Sequence, residues 1–324
     1  MGILNGEILE RLISPEPRLP WVSKWLLDEV WTVQRFEAMT PETYLTDGEQ
    51  VVHSFEEVLA ASADQFYDEL ASASVQAPGL LERSPEGSAV VVFDGASLRE
   101  IPLFLRKAKE TGFRVTECSM ALAATPSTTT AYVAAQLLGK EVSPKSLPQR
   151  RELKDKGVRA YYLDDAISTH QISPMNGERI LIWSAFPDNT YRDSDARFAR
   201  HFADMQKLYD TVWRNTVMQI PRGCRIVLTS DHGYIFFGAG FDSTRPNDAC
   251  ELLQQDRFKA FGPDEDLPNQ ADQPDLQVFA EKRLAMLRGR IKNRPRGHSA
   301  NKVYRHGGLS LMEMLTPWIL LEKE

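Results

Sequence analysis

Three things are scarce in this sequence: cysteine, long apolar runs and an excess of basic charge. The three cysteines in 324 residues have no close spacing, which favours free thiols in a reducing, cytoplasmic location. No apolar run reaches the ~18–20 residues that span a bilayer, so a membrane-spanning helix is excluded. The formal charge of −7 excludes a globally basic nucleic-acid-binding protein. The amino-terminal residues carry acids early and lack a basic segment followed by an apolar one, so we expect no secretory signal.

Three short apolar runs, each ending at a polar group, are present in the remainder of the chain. They are AVVVFDG, which ends at Asp94, ERILIWSAFPD, which ends at Asp188, and CRIVLTSDHG, which ends at Asp231 and His232. Continuous apolar runs of this length are typical of strands buried on both faces of a parallel sheet, and helical patterns lie between them. The alternation predicts an α/β fold with a doubly wound, mostly parallel sheet.

The acids at these strand ends are candidates for a functional site. Ligands of a doubly wound sheet bind outside the carboxyl ends of its strands, so we expect Asp94, Asp188 and Asp231 to lie close together. For any single strand, the polarity of loops is enough to explain an acid in the loop that follows. An Asp-His pair followed by Gly, as at Asp231, presents two metal ligands compactly and favours a functional interpretation.

The chain is predicted to divide into an amino-terminal segment and an α/β domain that carries an insertion. Residues 1–85 form a helical, aromatic segment, in which Ser54-x-x-Glu57 has the spacing of a capping box and predicts a helix start. Residues 86–324 form the α/β domain. Within it, about 241–301 are predicted to be an insertion with an acidic, Pro-rich surface loop.

The segments VVVFDG, TSDHGY and RHGGLSLMEML resemble the alkaline phosphatase superfamily and, within it, the PglZ domain family. A fourth segment, TPSTTTAYVAAQLLG, resembles the nucleophile segment of that family, in which Pro-x-x-Thr precedes a helix ended by Gly. The matching positions are Pro126, Thr129 and Gly139, and the resemblance implies that Thr129 is the nucleophile. Ser127 and Thr128 beside it leave the choice of hydroxyl open, and a Ser/Thr cluster here also suits a helix cap.

The resemblance further implies one or two divalent cations, Zn²⁺ or Mn²⁺. One ion would be held by Asp94, Asp231 and His232. A second would be held by Asp188, a His four residues later, and His306 before the Gly pair. Carboxylate oxygen and imidazole nitrogen suit these metals, and a bound metal allows a hydroxyl to ionise near neutral pH.

The sequence departs from this pattern at the position four residues after Asp188, where Arg192 stands in place of His. Arginine stays protonated and cannot ligate a metal, so the second metal site would be weakened or absent. Arg192 could instead hold a phosphate oxygen through its guanidinium. If the loop is aligned differently, a remote histidine could complete the site. The other histidines are His201 in a helical pattern, His170 and His298 in loops, and His53, which we expect to be structural.

The hypothesis that follows is a metal-dependent phosphodiesterase or phosphohydrolase with a threonine nucleophile. The resemblance implies phosphodiester substrates, including single-stranded nucleic acid and linear or cyclic oligonucleotides, and a link to phage-exclusion (BREX) systems. Nine Lys and Arg and no acid lie between Lys282 and Arg305, either as a solvated face or as a guide for a polyanion. The alternative is a non-catalytic interaction module of a phage-defence complex, with the helical segment 1–85 as its docking surface for protein partners.

Overall fold

The computed structural model describes residues 10–12, 17–169, 172, 178–192, 198–237, 243–244, 251–254, 256–292 and 304–323, without the side chains of residues 192, 198–201, 243 and 244. Among the helices of these residues, none combines the length and the apolar character needed to cross a bilayer.

The strands of the described residues are numbered in chain order. They are β1 (Ala89–Phe93), β2 (Phe113–Leu122), β3 (Val158–Leu163), β4 (Arg179–Ser184), β5 (Ile226–Thr229), β6 (Ile235–Phe236), β7 (Ser243–Thr244), β8 (Phe258–Ala260), β9 (Leu276–Phe279), β10 (Leu284–Leu287), β11 (Ile291–Lys292), β12 (Tyr304–Arg305) and β13 (Leu315–Lys323).

Six of these strands form the central sheet, in the order β2-β13-β5-β1-β4-β3. β3, β4, β1 and β5 run parallel to one another, and β13 runs antiparallel to β5 and β2. Every residue of β1 and β5 is buried, which explains why both read as unbroken apolar runs. The predicted α/β fold with a mostly parallel sheet is therefore confirmed.

The helices lie before the sheet and between its strands. They are α1 (Leu19–Trp25), α2 (Val33–Ala38), α3 (Pro41–Ser62), α4 (Gln65–Gln76), α5 (Leu80–Arg83), α6 (Ile101–Glu110), α7 (Thr129–Val133), α8 (Arg151–Lys154), α9 (Asp188–Arg192), α10 (Phe198–Asn215) and α11 (Leu311–Met314). A π-helical turn, Ala134–Leu138, continues α7 and ends at Gly139, whose φ of 71° is the left-handed value that favours glycine.

Alternate residues of β1 enter two hydrophobic clusters, one on each face of the sheet. Val91 and Phe93 pack in a cluster with α6, α10 and the helices α1 to α4, including Trp25. Val90 and Val92 pack in the other cluster, with α5, α7 and α8. The helices of the first 85 residues thus bury their apolar face against the same sheet that carries the strand-end acids.

The predicted helix start at Ser54 is wrong, because α3 runs through that position from Pro41 to Ser62. The helix begins at Thr40, whose side chain accepts from the backbone N of Thr43, with proline as the first helical residue. Ser54 accepts a side-chain hydrogen bond from Gln50 one turn earlier. The Ser-x-x-Glu spacing alone does not distinguish a helix start from a helix interior.

The insertion contains a three-stranded antiparallel sheet, in the order β8-β10-β9, that the sequence did not predict. Its strands have three or four residues each, too few to show a clear alternation of apolar and polar side chains. The acidic, Pro-rich stretch connects β8 to β9.

Candidate active site

The three central parallel strands bring the strand-end acids to one edge of the sheet. Asp94 follows β1 directly, Asp231 follows β5 after one residue, and Asp188 begins α9 after β4. The backbone N of Asp188 donates to the carbonyl of Asp94 (2.9 Å), and the backbone N of Gly95 donates to Asp231 Oδ1 (3.0 Å). These cross-loop bonds explain why three acids distant in sequence meet in space.

One cluster joins Asp94, Asp231, His232 and Thr129. His232 Nε2 lies 3.6 Å from both Asp94 Oδ1 and Asp231 Oδ2. Thr129 Oγ1 lies 3.2 Å from His232 Nε2 and 3.3 Å from Asp94 Oδ1. The donor atoms of the two aspartates and His232 lie within 4.8 Å of one another, and all three residues are buried.

The hydrogen bonds of this cluster tie some of its polar atoms to the surrounding protein and leave other polar atoms facing the centre of the cluster. Trp183 Nε1 donates to Asp94 Oδ2 (3.2 Å), and Asp231 Oδ1 accepts from the backbone of Gly95. Asp231 Oδ2 is buried and accepts no hydrogen bond. His232 Nδ1 is 2.9 Å from the carbonyl of Gly233, to which only a protonated Nδ1 can donate, so Nε2 presents its lone pair to the cluster when the ring is neutral.

A second cluster joins Asp188, His306 and the shared His232. His306 Nε2 lies 3.7 Å from Asp188 Oδ1, and the rings of the two histidines stack with centroids 4.0 Å apart and 13° between planes. His306 Nδ1 is 3.1 Å from the carbonyl of Ser127, which places its Nε2 on the side of Asp188. The donors predicted for two cations are therefore adjacent.

The hydroxyls of the Ser/Thr cluster have different partners. Ser127 Oγ donates to the carbonyl of Gly308 (2.7 Å) and accepts from the backbone N of Gly307 (2.9 Å), so it is occupied by the His-Gly-Gly turn. Thr128 is the residue before α7 and makes no side-chain cap bond. Of these three, only Thr129 directs its hydroxyl at the buried carboxylate and imidazole.

No protein-family model matches the sequence, and neither does any curated protein. Among solved structures, the chain is similar to murine ectonucleotide pyrophosphatase/phosphodiesterase 5, in an inactive variant bound to AMP, at 12% identity and a TM-score of 0.44 over 73% of this chain and 88% of that chain. It is also similar to phosphonoacetate hydrolase from Sinorhizobium meliloti 1021 in complex with phosphonoacetate, at 12% identity and a TM-score of 0.41 over 72% and 89%.

Both TM-scores are below 0.5, so these similarities do not establish a superfamily, and the resemblance to alkaline phosphatases stays a prediction from the sequence motifs. At this identity the likeness concerns the arrangement of the chain and carries no residue role. Similarity to the PglZ family stays a prediction from the sequence motifs.

Glycines at two of the site turns allow elements to approach closely. Gly95 has a φ of 75°, and a Cβ there would lie 2.9 Å from Asp188 Cβ and 3.5 Å from His232 Cε1. A Cβ at Gly233 would collide with the carbonyl of Met312. Glycine is required at both positions for the strand-end loops to reach their observed separation.

Glu313, within the RHGGLSLMEML segment, stabilises the turn that follows His232 and the turn that follows His306. Its carboxylate accepts from Arg257 Nε (2.9 Å) and Nη2 (2.7 Å) and from the backbone N of Gly308 (2.9 Å). Its backbone carbonyl accepts from Gly233 N (2.9 Å). Sequence reasoning missed Arg257, which has no local motif, and Ser127 as a support for His306.

A groove of about 580 Å³ adjoins the candidate nucleophile segment around Thr129. Thr128 and Thr130, on either side of Thr129, line it together with Phe258 and Lys282 of the insertion. Lys282 Nζ donates to Thr125 Oγ1 (2.8 Å), and desolvation lowers the pKa of this amine. The groove offers space for a substituent next to the candidate nucleophile.

Several predicted residues lie outside what the structure describes. Arg192 ends α9, but its side chain and that of His201 are not described, and His170 and His298 fall in undescribed segments. The basic run from Lys282 to Arg305 is described up to residue 292 and again from 304. There it includes two buried arginines with acidic partners, Arg288 with Asp68 and Arg290 with Glu49, so it is not a uniformly solvated face.

Proposed function

We propose that the chain is a metal-dependent phosphohydrolase that cleaves phosphodiesters with Thr129 as its nucleophile. The observation that carries the proposal is the position of Thr129 Oγ1, within 3.3 Å of Asp94 Oδ1 and 3.2 Å of His232 Nε2, where two clusters of metal-ligand type adjoin. A hydroxyl held against ionisable groups in this way is the arrangement of an activated nucleophile.

The donor set fits a divalent cation. Asp94 and Asp231 place two carboxylates in a buried site, and the orphaned Asp231 Oδ2 has no donor to offset its burial. Asp94, Asp231 and His232 would hold one Zn²⁺ or Mn²⁺, and Asp188 and His306 would contribute to a second, weaker site that Arg192 leaves incomplete. When bound, such a cation lowers the pKa of a nearby hydroxyl and offsets negative charge on phosphoryl oxygens.

The chain's own residues account for the bond changes. Thr129 Oγ1 forms a bond to phosphorus while its proton goes to solvent, and the bond to the leaving oxygen breaks, that oxygen taking up a proton. Water then attacks the phosphorylated threonine and releases the free hydroxyl and a phosphomonoester. The groove beside Thr128 would hold the substituent that stays on phosphorus, and Arg192 would bind a non-bridging oxygen.

Hydrolysis of bis-p-nitrophenyl phosphate with added Zn²⁺ or Mn²⁺ tests the proposal. Thr129→Ala is expected to lower kcat by about a thousandfold or more, because the covalent step is removed. Thr116→Ala is the matched control: it removes an exposed hydroxyl of β2 outside the groove and should leave turnover within about twofold of wild type. Equal rates for Thr129→Ala and wild type would sink the proposal.

A second candidate function is a non-catalytic interaction module. It is favoured by the second cluster, which has two donors of its own and shares His232 with the first, and by Arg192 at the position where the resemblance implies a third donor. Absence of turnover by the wild-type chain with Zn²⁺, Mn²⁺ and Mg²⁺, on both bis-p-nitrophenyl phosphate and oligonucleotides, would support this candidate over the enzyme.

The finer parts of the proposal rest on the sequence. Membership of the PglZ family, a role in phage defence and substrates among single-stranded or cyclic oligonucleotides are supported by the quoted motifs. A cytoplasmic location is supported by cysteine usage, with Cys118 and Cys224 free; Cys250 lies in an undescribed segment. Cleavage assays on a linear and a cyclic dinucleotide test the substrate class.

A further inference from the structure

A cavity of about 210 Å³ lies between α3 and the turn that joins β10 to β11, and it shares no lining residue with the candidate active site. We propose that this cavity binds a linear aliphatic polyamine. The argument rests on a buried carboxylate in its wall, on the excess of acidic groups around it and on the spacing of those groups.

Glu56 is the buried acid of this wall. It is 3% exposed, and its Oε1 accepts from the backbone N of Leu311 (2.8 Å), while Oε2 accepts no hydrogen bond. A buried carboxylate oxygen without a donor is costly, and an ammonium group supplies both the donor and the opposite charge. Tyr67, 1% exposed, also lines the cavity with a hydroxyl that makes no hydrogen bond.

The lining has more acidic than basic groups once ion pairs are considered. Its acids are Glu56, Glu57, Asp64 and Asp275. Within the lining, Arg288 lies 3.6 Å from Asp64 and His53 lies 3.5 Å from Glu57. Both arginines are also engaged by acids outside the lining, Arg288 by Asp68 (2.8 Å) and Arg290 by Glu49 (2.7 Å), so the acids of the cavity and its surroundings outnumber the arginines. The cavity is therefore suited to a cation.

The spacing of the acids favours an extended organic cation over a metal ion. Within the described residues, the clusters of three or more donors close enough to share a metal are the two at the candidate active site, and neither includes a cavity residue. Glu57 lies on α3 and Asp64 just beyond its end, roughly 10 Å apart at the rise of a helix, a distance that a polyamine spans and one ion does not. Ala60, Pro274 and Ile291 also line the cavity and suit the methylene chain.

The cavity is also connected to the segment that follows the His-Gly-Gly turn. Glu56 bonds to Leu311, and the backbone N of Gly289, in the cavity wall, donates to the carbonyl of Leu309 (3.0 Å). A ligand bound against Glu56 would therefore contact cavity residues that are hydrogen-bonded directly to the segment that follows His306.

Calorimetric titration of the full chain with spermidine tests the proposal. In metal-free buffer at about 0.15 M salt, where surface charges are screened, we expect saturable binding at one site. Glu56→Gln keeps an acceptor for Leu311 and removes the charge, and it should weaken binding at least about tenfold. Asp155→Asn makes the same charge change at an exposed position outside the cavity and should leave the affinity within about twofold.

Two further variants distinguish binding in the cavity from binding at the candidate metal centre. Ala60→Phe fills the cavity from an exposed position and should also weaken spermidine at least about tenfold, even if Glu56→Gln fails to fold. Asp231→Asn alters the candidate metal centre and should bind spermidine as wild type does. The proposal is overturned by absence of saturable binding, by wild-type affinity in Glu56→Gln or Ala60→Phe, or by loss of binding in Asp231→Asn.

Discussion

Ser127 and Thr129 lie two residues apart and serve different purposes. Thr129 directs its hydroxyl at Asp94 and His232, whereas Ser127 bonds to the turn that carries His306. A sequence with hydroxyls at four consecutive positions cannot separate these roles, because the chemistry of the side chains is the same. The difference follows from their places in the backbone, because Ser127 precedes α7 and Thr129 is its first residue.

Removal of the Ser127 hydroxyl is expected to destabilise the site. In Ser127→Ala, the backbone N of Gly307 loses a buried acceptor, so the free energy of unfolding should fall by about 1–3 kcal/mol and His306 should lose its position. Urea denaturation measures the first effect and kcat on bis-p-nitrophenyl phosphate the second. Ser146→Ala removes an exposed hydroxyl bonded to Ser143 and should change neither; equal losses in both variants would contradict the assigned role.

At the scale of elements, the turn after β1 brings Asp94 and Asp188 together. Gly95→Ala adds a Cβ 2.9 Å from Asp188 Cβ at a φ of 75°, so both contact and backbone strain oppose it. Gly87→Ala is a matched control, with a φ of 70° and open space around the added Cβ. We expect urea denaturation to show about 1 kcal/mol lost in Gly87→Ala and at least about 2 kcal/mol in Gly95→Ala, which should also lose the proposed phosphodiesterase activity.

If the two variants lose the same stability and activity, the close approach of the β1 turn to α9 is not what demands glycine at position 95.

The helix α9 contains the departure from the metal pattern. It begins at Asp188 and ends at Arg192, one turn later. Arg192→His replaces a side chain that cannot ligate a metal by one that can, so bound zinc should rise from about one to about two ions per chain, measured by mass spectrometry after dialysis. Arg192→Gln removes the charge without adding a ligand and should leave the stoichiometry unchanged. Two ions in wild type would show that other residues complete the second site.

At the scale of the whole molecule, buried ionic groups join the amino-terminal helices to the loops of the site. Glu49 of α3 pairs with Arg99 in the segment after β1, and Arg99 Nη1 donates to the carbonyl of Tyr234 after β5 (2.9 Å). The hydroxyls of Tyr234 and Tyr191 donate to Glu100 Oε1 at 3.1 and 3.2 Å, and burial raises the pKa of Glu100. The helices therefore position the loops that carry Asp188, Asp231 and His232.

Glu56 makes the stability of this assembly depend on pH. Burial raises the pKa of its carboxyl to about 7 from 4.5, against the partly opposing effect of Arg290 and Arg257, with Glu313 adding to the rise. Below pH 4.5 the group is protonated in both states and its contribution is complete. As the pH rises from 4.5 through 7, the unfolded chain releases the proton while the folded chain still holds it. The free energy of unfolding therefore falls, by about 3 kcal/mol for this difference in pKa.

Glu56→Gln should remove this dependence. We expect the variant and wild type to have similar unfolding free energies near pH 4.5, and the variant to be more stable at pH 8 by up to about 3 kcal/mol, as measured in urea. Glu57→Gln, an exposed neighbour on α3, should follow wild type at both pH values. A Glu56→Gln variant less stable than wild type at pH 8 would show that the carboxylate stabilises the fold as a charged group.

The sequence by itself determined the alternation of buried strands and helices, the order of the strand-end acids and the residue types of a candidate metal-binding site, because these depend on local apolar runs and on side-chain chemistry. The tertiary structure alone decided that His232 lies between two clusters, that Ser127 supports His306 while Thr129 meets Asp94, and that Glu56 forms the wall of a second cavity. Each of these depends on contacts between segments distant in the chain, whose separations follow from how the sheet and the helices pack rather than from any local pattern.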